Sequence, residues 1–208
     1  MSIQVQHLSL PYLTTNTNSA IWGQDLSFST ALHYLIQAPS GSGKSSFFDC
    51  LCGRKEHNGT IILEGQKIDP KQDLSGILKE DLSLVFQDLN LFEELSALDN
   101  VLVKNQLTNH LFEEHIHSLF DLFGLFAVKH NKCSHLSFGE QQRVAIIRAF
   151  CQPFKWLIMD EPFSHLDKEW IEVISKEIET QVTKRNAGLI MLSLGEDYGM
   201  RWDKTLQL

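Results

Sequence analysis

Basic residues are in short supply in this chain: 18 Lys and Arg face 26 Asp and Glu, a formal charge of −8 over 208 residues. That balance argues against the broad cationic footprint used to neutralise nucleic-acid phosphates, so no nucleic-acid partner is expected. Long apolar runs are missing as well. Ala145 to Ile147 and Trp156 to Met159 are among the longest, far short of the ~18 residues that mark a membrane span. The first residues, Met1-Ser2-Ile3-Gln4, lack the charged and apolar parts of a signal sequence, and a cytoplasmic location is expected. Cysteine is scarce: Cys50, Cys52, Cys133 and Cys151 show no Cys-x-x-Cys spacing. Cys50 and Cys52 lie two apart on an expected helix and face different ways, so all four read as reduced structural thiols rather than a metal site. No internal repeat or low-complexity tract interrupts the chain, and no regulatory domain is expected after Leu208. The length suits one large domain, or one domain with a subdomain.

What is present is concentrated in two segments. Ala38 to Ser45 reads Ala-Pro-Ser-Gly-Ser-Gly-Lys-Ser, directly after an apolar Tyr34-Leu35-Ile36 that reads as a buried strand. Glycines at 41 and 43 let the backbone curl with its N–H groups inward, forming an anion nest at the start of a helix. Lys44 then reaches β- and γ-phosphates, and the Ser45 hydroxyl suits Mg²⁺. Ala38 stands where this phosphate-loop pattern begins with Gly, and it fits provided its φ is negative. The second segment, Leu136 to Arg143, reads Leu-Ser-Phe-Gly-Glu-Gln-Gln-Arg, and an apolar run ending in Asp160-Glu161 follows it.

Between these landmarks strands and helices alternate, as an α/β fold requires. Strands are expected over Ile3 to Leu10, Leu26 to Ser29, Thr60 to Leu63, Leu82 to Phe86, Trp156 to Met159, Leu189 to Leu192 and Lys204 to Leu208. Thr60 to Leu63 and Lys67-Ile68 make a small antiparallel hairpin. Helices are expected from Ser45 to about Cys52 and from about Lys168 to Arg185. From Leu98 to Phe126 apolar residues recur at helical spacing, and residues 88–150 read as an inserted helical subdomain in a core made of 1–87 and 151–208. The fold class is therefore α/β: a phosphate-loop core with a mixed sheet and a small antiparallel β part, plus the helical insert.

Together these motifs resemble those of the ATP-binding subunits of ABC transporters, and the resemblance covers nearly the whole chain. Ala38 to Ser45 matches the Walker A loop, so Ser40, Gly41, Ser42, Gly43, Lys44, Ser45 and Ser46 are implied to hold ATP. Gln87 matches the Q-loop glutamine. Leu136 to Glu140 matches the signature motif, which implies that Ser137, Gly139 and Glu140 meet the γ-phosphate of ATP on an opposite subunit. The run Gln141 to Ala149 is characteristic of the same family. Asp160 and Glu161 match Walker B and the catalytic glutamate, and Ser164 to Asp167 matches the D-loop. The resemblance implies a Mg²⁺ site of Ser45, Gln87 and Asp160, with Glu161 as general base for the attacking water and Gln87 as its helper. Tyr12 is implied to stack on adenine, although a Tyr-Leu pair after Pro11 serves equally as packed core. Two chains, copies or related ATPase subunits, would pair head-to-tail around two Mg-ATP and drive membrane-spanning transporter subunits from the cytoplasmic face. The stretch from Val85 to Val101 resembles the small subunits of lipoprotein-releasing, macrolide-export and cell-division systems, and a polar-amino-acid or other importer subunit would look similar. Leu89, Leu91, Phe92 and Leu95 within it either line a groove for the membrane partner or pack the helical core.

Two departures from the family pattern stand out. Phe138 occupies a signature position that is commonly Gly. Leu194 stands where a histidine usually contacts the γ-phosphate, and leucine donates nothing. Reduced hydrolysis is the expectation, with a nucleotide-gated module of little or no hydrolysis as the alternative.

Overall fold

The protein is described from a computed structural model covering residues 2–11 and 19–208; Tyr12 lies outside the described residues. Strand β1 (Ser2–Ser9) pairs antiparallel with β2 (Leu26–Ser29) and with β4 (Asn58–Leu63), and β4 pairs with β5 (Gln66–Lys67). Ile3 and Val5 on β1 stand opposite Leu63 and Ile61 on β4, and all four are buried, the period-two signature of a half-buried sheet. The second sheet has the order β6-β7-β8-β3-β9 and only parallel pairings. Its strands are β3 (His33–Gln37), β6 (Leu82–Val85), β7 (Trp156–Asp160), β8 (Gly188–Ser193) and β9 (Lys204–Gln207). Parallel and antiparallel pairing thus occur together as expected, but segregated into two sheets.

Every residue of β7 and β8 is buried, which explains their continuous apolar sequences: both faces of this sheet are covered. Successive residues go to opposite faces. Leu35, Leu157, Met159, Leu189 and Met191 pack into one apolar cluster, with α4 (Glu113–Leu122), α5 (Phe138–Phe150) and α6 (Lys168–Arg185). Tyr34, Ile36, Trp156, Ile158, Ile190 and Leu192 pack into the other, with Phe47 and Phe48 of α1 (Lys44–Leu51) and the antiparallel sheet. The strand ends at Gln37, Asp160 and Ser193 lie side by side along β3, β8 and β7, the edge where open parallel sheets hold their ligands.

The stretch of helical spacing over Leu98 to Phe126 holds two helices, α3 (Ala97–Gln106) and α4, separated by a turn in which Asn109 has φ 49° and Asn105 bonds both the N–H and the carbonyl of Leu111. A short helix, α2 (Ser75–Glu80), forms where no regular element was expected; six residues give too little periodicity to read. The four cysteines are all buried and free, and burial pushes the Cys50 and Cys151 thiols up to about 12.

One cross-strand pair in the central strands has no room for a side chain. Gly188 lies opposite Trp156, and a Cβ built on it would sit 2.3 Å from the indole ring. Gly188→Ala is expected to destabilise the protein by about 1–3 kcal/mol through overpacking, read as a lower urea midpoint. An unchanged midpoint would mean that the ring yields freely.

Candidate functional site

The phosphate loop is tied to the sheet at its first residue. Ala38 is buried, donates its N–H to Ser193 O at 3.1 Å, and lies outside the positive-φ residues, so alanine is accommodated without strain. Gly41 (φ 79°) and Gly43 (φ 99°) supply the left-handed turns, and Gly43 is the N-cap of α1. Lys44, the first helical residue, is buried and folds back into its own loop: Nζ donates to Ala38 O at 2.8 Å and Pro39 O at 3.1 Å. It also lies 3.4 Å from Glu161 Oε1. Ser40 and Gly41 form the exposed rim, while the Ser42 hydroxyl is buried with no hydrogen-bond partner. The Ser46 hydroxyl accepts from Lys55 Nζ at 2.9 Å.

Beside the loop, Ser45 donates to Gln87 Oε1 at 3.2 Å. These two residues, with Asp88, Asp160, Phe48 and Phe86, line a cleft of about 430 Å³. Asp160 is only 2% exposed, and its Oδ1 has no hydrogen-bond partner. Burial pushes its carboxyl up to about 6, with Glu161 and Asp49 adding to the shift and Ser45 and Lys44 opposing it. A buried carboxylate with an orphan oxygen, next to a hydroxyl and an amide oxygen, suits a hard cation that takes its remaining ligands from phosphate and water. Among the described residues no group of three His, Cys, Asp or Glu would hold a metal by itself. The residues present therefore fit Mg²⁺ brought with a nucleotide.

Glu161 sits in the left-handed region at φ 48°, a conformation costly for a non-glycine residue. Backbone bonds hold it there: its N–H donates to Leu192 O at 3.0 Å, and its carbonyl accepts from Gln142 Nε2 at 3.1 Å. The chain turn this creates aims the side chain back at Lys44.

The signature segment starts α5 and is internally capped. Ser137 Oγ accepts from Glu140 N at 3.3 Å, and Glu140 Oε2 accepts from Ser137 N and Oγ, both at 2.8 Å. The Glu140 carboxylate is thus engaged in the cap. A Cβ on Gly139 would come within 2.8 Å of His165 O, so glycine permits a close approach to residues 161–165. Phe138 is partly exposed and packs on His165 with its ring tilted 57° and centroids 4.2 Å apart. Leu194, just past β8, is 54% exposed. Of the four apolar candidates after Gln87, Leu89 is buried and Leu91 packs against the cluster shared by the helices, while Phe92 is 57% exposed and Leu95 lies at the surface. Two of the four are thus withdrawn from solvent and two are open to it. Gln142 was not singled out from the sequence. A polar residue on the buried face of an apolar helix was the available signal.

A glycine-rich loop opening a helix at the carboxyl edge of a parallel sheet, with a lysine inside it and an acidic pair on a neighbouring strand, defines a P-loop nucleotide-binding protein. The ABC transporter family profile matches residues 23–164, and the chain belongs to that family. It is 32% identical over 172 residues to the glutamate/glutamine/aspartate/asparagine transport ATP-binding protein BztD of Rhodobacter capsulatus, covering 79% of this chain and 64% of that one. The chain thus spans just under two thirds of that relative's length. It is 30% identical over 201 residues to the lipoprotein-releasing system ATP-binding protein LolD of Legionella pneumophila, covering 93% of this chain and 88% of LolD. Among solved structures, the dimeric MJ0796, a bacterial ABC transporter cassette, superposes with TM-score 0.84 at 22% identity over 99% of this chain and 94% of that one. This likeness establishes the fold. Among the described residues no helix is long and apolar enough to cross a membrane.

Lys44→Ala removes the cation enclosed by the loop and is expected to abolish measurable ATP binding in calorimetry. Retention of wild-type affinity would mean that phosphate is held elsewhere.

Proposed function

We propose that this chain is an ATP-hydrolysing subunit that works peripherally on the cytoplasmic face of a membrane transport complex. The observation that carries the reading is the convergence of Lys44, Ser45, Gln87, Asp160 and Glu161 on one edge of the parallel sheet. The loop amides and Lys44 would hold the β- and γ-phosphates, with Ser40 to Ser46 as the cradle. Mg²⁺ held by Ser45, Gln87 and Asp160 would offset phosphate charge. Glu161 would take the proton from a water as its oxygen attacks the γ-phosphorus and the bond to the β-phosphate oxygen breaks. Lys44, drawn to phosphate, would release the Glu161 carboxylate from its 3.4 Å contact.

In this reading two chains close head-to-tail, and Ser137 and Gly139 at the N-terminus of α5 face the γ-phosphate held by the partner. Residues 88–150 act as the helical arm on the core of 1–87 and 151–208. A cleft of about 370 Å³, lined by Phe86, Phe92, Val103, Leu107 and Arg148, is the proposed seat of the membrane-spanning subunits. The likeness to LolD over 93% of the chain supports placement among release-type systems. The alternative of a module without turnover gains no support from the relatives, and the intact Asp160-Glu161 pair speaks for hydrolysis.

Glu161→Gln keeps the shape and removes the base. ATP binding is expected to persist while turnover falls, and size-exclusion chromatography in ATP should reveal a persistent dimer. Undiminished turnover would place the base elsewhere. Leu194→His restores a donor beside the loop, and steady-state hydrolysis is expected to rise. A donor aimed at developing charge is worth about 2.7–4 kcal/mol in well-aligned sites. No rise would mean that another group already makes that contact.

A further inference from the structure

The amide of Gln142 is spent entirely on the segment that carries the general base. Gln142 is 1% exposed, on the first turns of α5. Its Nε2 donates to Glu161 O at 3.1 Å and to Ser164 Oγ at 3.3 Å, and its Oε1 accepts from His165 N at 3.2 Å. Three contacts to residues 161–165 from one side chain leave no polar atom of Gln142 for anything else. The first of these bonds holds the carbonyl of a non-glycine residue kept at φ 48°. That conformation persists only where the surroundings over-determine it.

Neighbouring contacts make the attachment stiff. Gly139 lets α5 approach His165 O closely, Phe138 packs at a tilt on His165, and Arg143 lies over the Trp170 ring at 4.3 Å. The start of α5 is thereby fastened to residues 161–165 and, through Trp170, to α6, with Gln142 as the buried polar contact.

We infer that Gln142 is a positioning residue: it sets the backbone of Glu161, and through it the aim of the carboxylate, from the helix that begins with the signature segment. The inference rests on the proposed function, in which that segment meets the partner's nucleotide while Glu161 serves its own. Gln142 then joins the two sites. A displacement of α5 by the partner's ATP reaches the Glu161 carbonyl directly through the Gln142 amide, so turnover at one site depends on occupancy of the other.

The test uses the full chain with Gln142→Met, Glu161→Gln and the double variant. Gln142→Met is close to isosteric and removes all three bonds. Expected are a fall in kcat of at least tenfold, nucleotide affinity within threefold of wild type, and a Hill coefficient for ATP nearer to 1. In single-turnover measurements the double variant should be no slower than Glu161→Gln, because Gln142 acts through that residue. Losses that multiply in the double variant, or a Gln142→Met enzyme with unchanged kcat, would overturn the assignment. Should Gln142→Met fail to fold, Gln142→Glu keeps the oxygen facing His165 N and, as a carboxylate, lacks the donor to Glu161; the same pair of outcomes applies to it. A wild-type chain that binds ATP and turns none over in its dimeric form defeats the functional reading itself, a result separable from either.

Discussion

Lys44 and Glu161 face each other across 3.4 Å in a setting where both side chains are almost wholly withdrawn from water. Charges taken out of water are stable only when paired and hydrogen-bonded, and removal of one partner from such a pair typically costs about 3–5 kcal/mol. Here the ammonium also satisfies two loop carbonyls, Ala38 and Pro39, so its position is set by the curl of the loop as much as by the carboxylate. Much else in the molecule serves to bring these two groups together. β3 delivers the loop, β7 delivers Asp160 and Glu161, and β8 lies between them, giving its Leu192 and Ser193 carbonyls to the N–H groups of Glu161 and Ala38. The middle strand thus joins the phosphate loop and the acidic pair through its own backbone.

Such a junction requires strands that are rigid and covered on both faces. Alternate side chains of β7 and β8 enter two separate apolar clusters, one shared with α4, α5 and α6 and one with α1 and the antiparallel sheet. A shift of either strand by one residue would exchange the two sets, so register is strongly specified. The same packing buries Asp160, and burial holds its carboxyl near 6 with an orphan oxygen. In the proposed function, a cation brought with the nucleotide would meet the electrostatic demand this burial creates. That logic links core packing to nucleotide chemistry without any further device.

The two departures from the family pattern fall at exposed positions. Phe138 packs on His165 beside the signature cap, and Leu194 projects from the end of β8. Neither disturbs the buried framework: Ser193 beside Leu194 still binds the loop, and Gly139 beside Phe138 still allows the close approach of α5. In the proposed dimer both would lie toward the seam, where they bear on closure and transition-state contacts rather than on folding.

Much of the fold and site was legible in the residues because the informative signals are local. A glycine-rich curl before a helix, an apolar strand ending in Asp-Glu, and a serine-capped helix each follow from neighbours in sequence. Those signals located Lys44, Ser45, Asp160, Glu161 and Ser137, and the long helix and most strands with them. Signals that depend on contact across the chain were not legible. The division of strands into two sheets, the break near Asn109, and the split of Leu89 from Phe92 are decided by which face finds a covered partner. Gln142 is the clearest case: the run around it marks the family, but the role of its side chain comes from Glu161, 19 positions away. Sequence alone therefore determined which chemical groups are available and on which elements they ride. Tertiary structure decided which are buried, which are paired and which backbone is held in a strained turn, because desolvation and hydrogen-bond satisfaction are properties of the packed whole.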